Sequence, residues 1–281
     1  MTNTLLSIGH GFSARALAQR LVPQGWTVIG TTRSADKARA MSAEGLEPLI
    51  WPGSPLPLQR ATHLLTSVAP DGNGDPVIAD AAPELRQATH LEWVGYLSTT
   101  GVYGDRNGGW VDETSELRPT TARGKARVTA ERAWSALGLP LHIFRLAGIY
   151  GPGRGPFAKV KSGQARRIIK QGQVFSRIHV DDIARVLEAS IAHPNPGAVY
   201  NVCDDDPAPP EDVIAYAAEL LGMPVPDAVA FEDADLSEMA RSFYAESKRV
   251  RNDRIKDELG VQLLYPDYRT GLTAMKPEIA G

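Results

Sequence analysis

One cysteine in 281 residues, Cys203, leaves no internal disulfide framework and no thiolate cluster for a metal, and a reducing cytoplasm fits such a chain. No apolar run reaches the roughly 18 residues that a membrane-spanning helix needs, so no membrane partner is expected. The N-terminus shows no charged stretch, long apolar segment or cleavage signal before a strand begins, which argues against a secretory leader. Positive charge is not in surplus. A net charge of −3 gives no whole-molecule reason to expect nucleic acid. The six histidines are scattered, and the Gly-x-Ser-x-Gly elbow of a serine hydrolase is absent. Asp181-Asp182 and Asp204-Asp205-Asp206 lack the spacing of a ligand set. Helix capping accounts for the first group and loop solvation for the second, so no metal is expected.

What is present begins in the first thirty-odd residues. Leu5-Leu6-Ser7-Ile8 suits a strand buried on both faces, and Ala14, Leu17, Ala18 and Leu21 recur at helical spacing. Between them lies Gly9-His10-Gly11-Phe12-Ser13-Ala14. A Gly-x-Gly-x-x-Ala run joining strand to helix is the placement that turns a weak glycine pattern into a dinucleotide signal. Gly9 allows the tight turn and Gly11 the approach of a pyrophosphate, while Ala14 lets the helix sit close on the strand. Phe12 and Ser13 open the helix, whose free N–H groups face the anion.

A second strand, Trp26 to Gly30, runs into Thr31-Thr32-Arg33, where the adenosine ribose is read. An acidic residue there would favour NAD. This chain has Arg33, with Thr32 beside it and Lys37 one turn on. A guanidinium suits a 2′-phosphate, so the expected cofactor is NADP rather than NAD. The alternative is a solvated strand-end arginine.

Further strands are expected at Leu46 to Trp51, His63 to Pro70, Trp93 to Thr100, Leu141 to Leu146 and Val199 to Cys203, with helices between them. Pro48 argues for an edge position in the third. Ala69-Pro70 ends the fourth strand in a small-residue turn that would flank the cofactor. This alternation indicates an α/β chain with a Rossmann-type doubly wound parallel sheet and a small C-terminal substrate lobe. The expected division is 1–154 with 178–203 for the dinucleotide-binding domain, and 155–177 with 204–281 for the lobe. Within the lobe, Lys248 to Leu259 reads as helical and Val261 to Leu264 as a short strand.

These segments resemble the extended short-chain dehydrogenase/reductases, the group of NAD-dependent epimerases and dehydratases. The resemblance covers about residues 4 to 222. It rests on the glycine loop, on Leu97-Ser98-Thr99-Thr100-Gly101-Val102-Tyr103-Gly104, on Arg145 to Gly153, and on Ile178-His179-Val180-Asp181-Asp182. In that family a Ser or Thr holds the reacting oxygen, and a Tyr with a Lys four residues later exchanges the proton. The resemblance places the hydroxyl at Thr99 and the lysine at Lys125, the two catalytic candidates. It places the tyrosine at position 121, where this chain has Thr121. A threonine hydroxyl does not ionise in the accessible pH range, so it cannot act as an activated phenol. Tyr103, Tyr150 and His179 are the candidates to replace it, each against a packing role. The chain also lacks the Asp-Glu pair that sugar dehydratases carry after their threonine, having Thr100-Gly101 there.

The expected function is therefore an NADP(H)-binding oxidoreductase or epimerase-like protein without the usual tyrosine. The rival reading is a non-catalytic NADP-binding sensor. Six basic residues, Lys159, Lys161, Arg166, Arg167, Lys170 and Arg177, offer a clamp for a phosphorylated or nucleotide-linked small-molecule substrate, against the solvated face of a helix. A homodimer is compatible with this reading.

Overall fold

A computed structural model describes residues 3–276, so residues 1–2 and 277–281 of the expected domain bounds lie outside the described residues. Seven strands form the central sheet: β1 (Thr4–Ile8), β2 (Thr27–Thr32), β3 (Glu47–Ile50), β4 (His63–Thr66), β5 (Trp93–Thr99), β6 (Leu141–Leu146) and β7 (Val199–Val202). They lie in the order β7-β6-β5-β4-β1-β2-β3, all parallel. The direction of winding reverses between β1 and β4, which opens a crevice at the carboxyl ends of the strands. β3 lies at the edge, where Pro48 leaves no ladder bond unmade in the interior.

Helices cover both faces because the strands are apolar on both. Successive residues of a strand point to opposite sides. Leu5, Leu65 and Phe144 pack with Leu17 and Leu21 of α1 (Phe12–Leu21) and with Ile183 and Leu187 of a helix at Val180–Ala192. Their neighbours Leu6, Leu64 and Ile143 pack on the other side, against Val77 and Leu85 of a helix at Pro76–Gln87 and Trp134 of a helix at Ala122–Ser135. In chain order the sheet-flanking helices are α1, α2 (Ala35–Ala43), α3 (Pro76–Gln87), α4 (Ala122–Ser135) and α5 (Val180–Ala192).

A third apolar cluster holds the lobe together. Phe157, Val160, Val213, Ala217, Leu272 and Met275 meet there with Tyr150 and Tyr268. Its main helices are α6 (Pro210–Leu220), α7 (Glu238–Tyr244) and α8 (Tyr268–Met275). The stretch around 250–261 departs from the expected lobe. Val250, Ile255, Leu259 and Val261 are buried in the sheet's own cluster, and Arg254 donates to the carbonyl of Val199 at 2.9 Å. Local structure differs there too. Only Asp253–Asp257 is helical, Arg249–Val250 forms a two-residue strand beside Trp110–Val111, and Val261 to Leu264 forms no strand. The apolar side chains of this stretch are used to cover β7, which sets its path more strongly than helical propensity does.

A polar row crosses the carboxyl half of the sheet. Ser98, Arg145 and Asn201 are register partners on β5, β6 and β7. Arg145 pairs with Glu131 of α4 at 2.9 Å, with both side chains about 95% buried (6% and 5% exposed). Ser98 donates to the same carboxylate at 2.5 Å. Arg145 also donates to the Tyr103 hydroxyl at 2.9 Å, which in turn donates to Asn201 at 2.7 Å. Removing one partner of a buried pair strands the other charge, so Glu131→Gln should cost about 3–5 kcal/mol of folding stability in urea titrations. A loss below about 1 kcal/mol, the range of exposed pairs, would show that α4 is not anchored this way.

Candidate active site

The crevice at the strand ends has a volume of about 830 Å³ and runs from the glycine loop to the lobe. Gly9 has φ +75°, and a Cβ there would lie 2.8 Å from Cγ2 of Val68. The turn is tied down from β2 and β4. Gly9 N–H donates to the Thr31 hydroxyl at 2.8 Å, His10 N–H to the Thr31 carbonyl at 3.0 Å, and the Ser67 hydroxyl to the Gly9 carbonyl at 3.1 Å. Gly11 caps α1 without a side chain, and a Cβ on it would meet nothing nearer than the Gly9 carbonyl at 3.7 Å. Its open side and the uncapped first turn of α1 fit a phosphate approached by backbone N–H groups. Gly9, Gly11, Phe12, Ser13, Ala69 and Pro70 all line the crevice.

Thr32 and Arg33 sit one strand further out and do not line it. Thr32 is half-buried, its hydroxyl accepting from Ser34 N–H at 3.2 Å. Arg33 is exposed at the end of β2, and its guanidinium meets no hydrogen-bond or ion-pair partner among the described residues.

Thr99 ends β5 in the crevice, with its hydroxyl oxygen accepting from Gly101 N–H at 3.2 Å. Lys125 is not there. It projects from the exposed face of α4, whereas Thr121, Arg123, Gly124 and Arg127 line the crevice. Within the helix, Arg123 and Arg127 are four apart and share a face, from which Lys125, two residues from each, is turned away, while Thr121 precedes the first turn as its N-cap. A tight contact sets that face: a Cβ on Gly124 would come within 2.8 Å of the Gly101 carbonyl. Arg127 is the α4 cation held against the ends of the central strands. Its Nη1 donates to the Leu97 carbonyl at 2.7 Å and the Tyr96 hydroxyl at 3.0 Å, and reaches the Val68 carbonyl at 3.4 Å. The signal was in the sequence, as an Arg-Gly-x-x-Arg run with Glu131 four residues on.

Thr121, at the expected tyrosine position, is the N-cap of α4, and its hydroxyl accepts from Gly124 N–H at 3.1 Å. None of the three candidate replacements supplies an activated phenol or imidazole. Tyr103 is wholly buried in the polar row, and burial pushes its phenol up to about 12, partly opposed by Arg145. Tyr150 lines the crevice, but burial and then the nearby Asp204 raise its phenol further. His179 is buried and caps α5, its Nδ1 accepting from Asp181 N–H at 3.2 Å, and burial lowers its basicity.

The expected clamp contracts to one residue. Of the run from Lys159 to Arg177, only Arg177 lines the crevice. Arg167 and Lys170 hold the carbonyls of Pro226 and Tyr244. Arg177 donates to the carbonyls of Phe175 and Ala208 at 2.8 and 3.0 Å. Arg154, Lys248 and Glu246 complete the charged lining. Arg154 stands over the Phe12 ring at 5.7 Å, held by a tight turn in which Gly151 and Arg154 exchange backbone hydrogen bonds. Of the two acidic groups, three members serve the scaffold, while the Asp204 carboxyl is buried without a hydrogen-bond partner among the described residues. Asp182 accepts from Leu264 and Tyr265 N–H at 2.7 and 3.0 Å, Asp205 pairs with Lys256 at 2.6 Å, and Asp206 pairs with Arg269 at 2.9 Å.

Sheet order, glycine turn and crevice define an α/β protein with a Rossmann-type parallel sheet. No family model matches the chain. A structure from Silicibacter pomeroyi, described as a functionally unknown conserved protein, is 63% identical, with each chain covered to 99% and a TM-score of 0.95. Protein YeeZ of Escherichia coli is 28% identical over 277 residues, 92% of this chain and 95% of its own. The fold is also that of UDP-glucuronic acid 4-epimerase from Bacillus cereus in complex with NAD, 19% identical, with a TM-score of 0.77 over 99% of this chain and 98% of that one. A putative NAD-dependent epimerase/dehydratase from Methylobacillus flagellatus is 27% identical, with a TM-score of 0.73 over 100% of this chain and 99% of that one, so the chain has the fold of the NAD-dependent epimerases and dehydratases.

His10 sits in the glycine turn and titrates with the fold. Burial holds it down at about 4, against an ordinary value of 6.5, with Glu44 opposing the shift. A depressed folded value means its contribution is present above pH 6.5 and is lost as pH falls toward 4. The linkage is worth about 3 kcal/mol. The loss of melting temperature between pH 7 and pH 4 should therefore be smaller in His10→Gln than in the native chain, and parallel curves would refute this.

Proposed function

We propose that the chain is an NADP(H)-dependent oxidoreductase of the epimerase/dehydratase type that works without an activated tyrosine. The observation that carries this is the open glycine turn at the N-terminus of α1, facing a crevice in which Thr99 ends the central strand. Gly9, Gly11, Phe12 and Ser13 would hold the pyrophosphate, and Ala69 and Pro70 the flank of the nicotinamide half. Arg33 would take the 2′-phosphate. Bound there, the nicotinamide ring supplies a hydride donor or acceptor. The Thr99 hydroxyl, whose oxygen already accepts from Gly101, donates to the reacting oxygen of the substrate. Arg127 supplies the fixed positive charge that the resemblance assigns to a lysine. The substrate is an anionic small molecule, phosphorylated or nucleotide-linked. Arg177 and the Lys248 side of the crevice would face its charge, with Phe175 and Tyr268 beside them.

A second reading is a cofactor-binding sensor. The use of Thr121 as a helix cap favours it, because the tyrosine's place is taken by a structural job. An NADPH-oxidation screen against carbonyl compounds and nucleotide sugars separates the two. Turnover abolished in Thr99→Ala supports the enzyme, and tight NADPH binding without turnover supports the sensor.

Cofactor choice has its own test by fluorescence titration. A charge-assisted hydrogen bond is worth about 1.5–3 kcal/mol, so Arg33→Ala should weaken NADPH about 10- to 140-fold and leave NADH nearly unchanged. Arg154 faces the end of the crevice shared by both cofactors, so Arg154→Ala should weaken NADH and NADPH alike. Equal losses for both cofactors in Arg33→Ala would remove the 2′-phosphate assignment.

A further inference from the structure

The charges around the nicotinamide end are unusually one-sided. Arg127 bridges the carboxyl ends of β4 and β5, with one nitrogen, Nη1, serving the Leu97 carbonyl, the Tyr96 hydroxyl and the Val68 carbonyl. Ser67, Ala69, Pro70 and Thr99 line the crevice beside these carbonyls, so the guanidinium is fixed where the nicotinamide half would lie. Arg123, one turn earlier on the same face of α4, stands over the Phe243 ring at 4.8 Å at the mouth of the crevice. The charged residues lining the crevice are Arg123, Arg127, Arg154, Arg177, Lys248 and Glu246. Glu246, the one carboxylate among them, is already paired with Lys248 at 2.8 Å and accepts from Thr120 at 2.6 Å.

Where the resembling enzymes have a phenol beside a lysine, a pair that becomes neutral when the phenol ionises, this chain presents two permanent cations. Neither guanidinium loses its proton at any accessible pH. The two oxidation states of a nicotinamide ring differ in charge, the oxidised ring being cationic and the reduced ring neutral. Like charges repel most where water is partly excluded.

Resting on the cofactor reading above, we propose that this site selects the reduced cofactor, NADPH over NADP+, through Arg127 and Arg123, and so serves a reductase. The same two guanidiniums suit the other half of the exchange. In a reduction the hydride's electron pair forms the new C–H bond, the carbonyl π pair moves onto oxygen, and that oxygen becomes negative. Thr99 and the guanidinium N–H groups stabilise it there, and the proton that completes the alcohol comes from water through the open mouth. No acid on the protein is required, which accounts for a crevice without an activated phenol.

The test is binding, not turnover. NADPH and NADP+ are titrated separately into the full chain by calorimetry. Two cations at a separation of several ångströms should make NADP+ weaker by about tenfold or more. Arg127→Gln and the exposed Arg123→Gln should each narrow that gap, and Arg127→Lys, which keeps the charge, should preserve it. Arg154→Ala should weaken both forms equally and leave the gap intact. Equal affinities in the native chain, or tighter NADP+, overturn the proposal while leaving the cofactor site standing. A gap that persists in both glutamine variants overturns its assignment to these residues. Failure to bind either form overturns the cofactor reading itself.

Discussion

The buried ion pair between Arg145 and Glu131 is the constraint on which the crevice depends. A guanidinium and a carboxylate this deeply buried are tolerable only if each is held by the other and by further hydrogen bonds. Ser98 and Tyr103 provide those bonds, and Asn201 accepts in turn from Tyr103, in a row crossing three neighbouring strands. Because Glu131 lies on α4, the same pair fixes the rotation of that helix against the sheet. The turn containing Gly124 then fits on Gly101, and Arg123 and Arg127 face the crevice. Thr99 stands one residue beyond Ser98, so the strand that donates to the buried carboxylate also presents the crevice hydroxyl.

The scaffold is thus that of the proteins whose fold the chain shares. The glycine turn, the strand-five hydroxyl and the helix behind them occupy their expected places. What differs is the content of the first turns of α4. Thr121 is spent on capping that helix, Gly124 on close packing, and the two positions that look into the crevice carry guanidiniums. The α4 wall of the crevice therefore carries fixed positive charge.

The lobe contributes in two ways. Its apolar cluster seats Tyr150 and Tyr268 at the crevice wall, while Arg177 is drawn in by the carbonyls of Phe175 and Ala208. The chain then returns to the sheet, where Val250, Ile255, Leu259 and Val261 cover the outer strands. Because the lobe is tied to the sheet on both sides, its charged residues face the glycine turn across one cavity.

Much of this was legible in residue order. Apolar runs bounded by turn residues located all seven strands, since a strand buried on both faces has little choice of composition. Pro48 marked the edge because it has no N–H to offer a neighbour. The glycine loop was readable because backbone approach to an anion and a left-handed turn both demand glycine within a few residues. Arg33, too, belongs to a strand end whose place is set locally. Which side of α4 meets the crevice was not local. Lys125 matched a spacing, but its direction depended on Glu131 meeting Arg145 and on Gly124 meeting Gly101, contacts between residues that are distant or separated by a turn. Likewise Arg154 and Arg177 were indistinguishable in sequence from other surface cations until a turn and two carbonyls aimed them inward. Sequence by itself determined the strands of a parallel sheet and the glycine turn after the first of them, because these follow from periodicity and backbone sterics. Only the tertiary structure decided which charges face the reacting end, because that follows from how a helix is rotated when it packs.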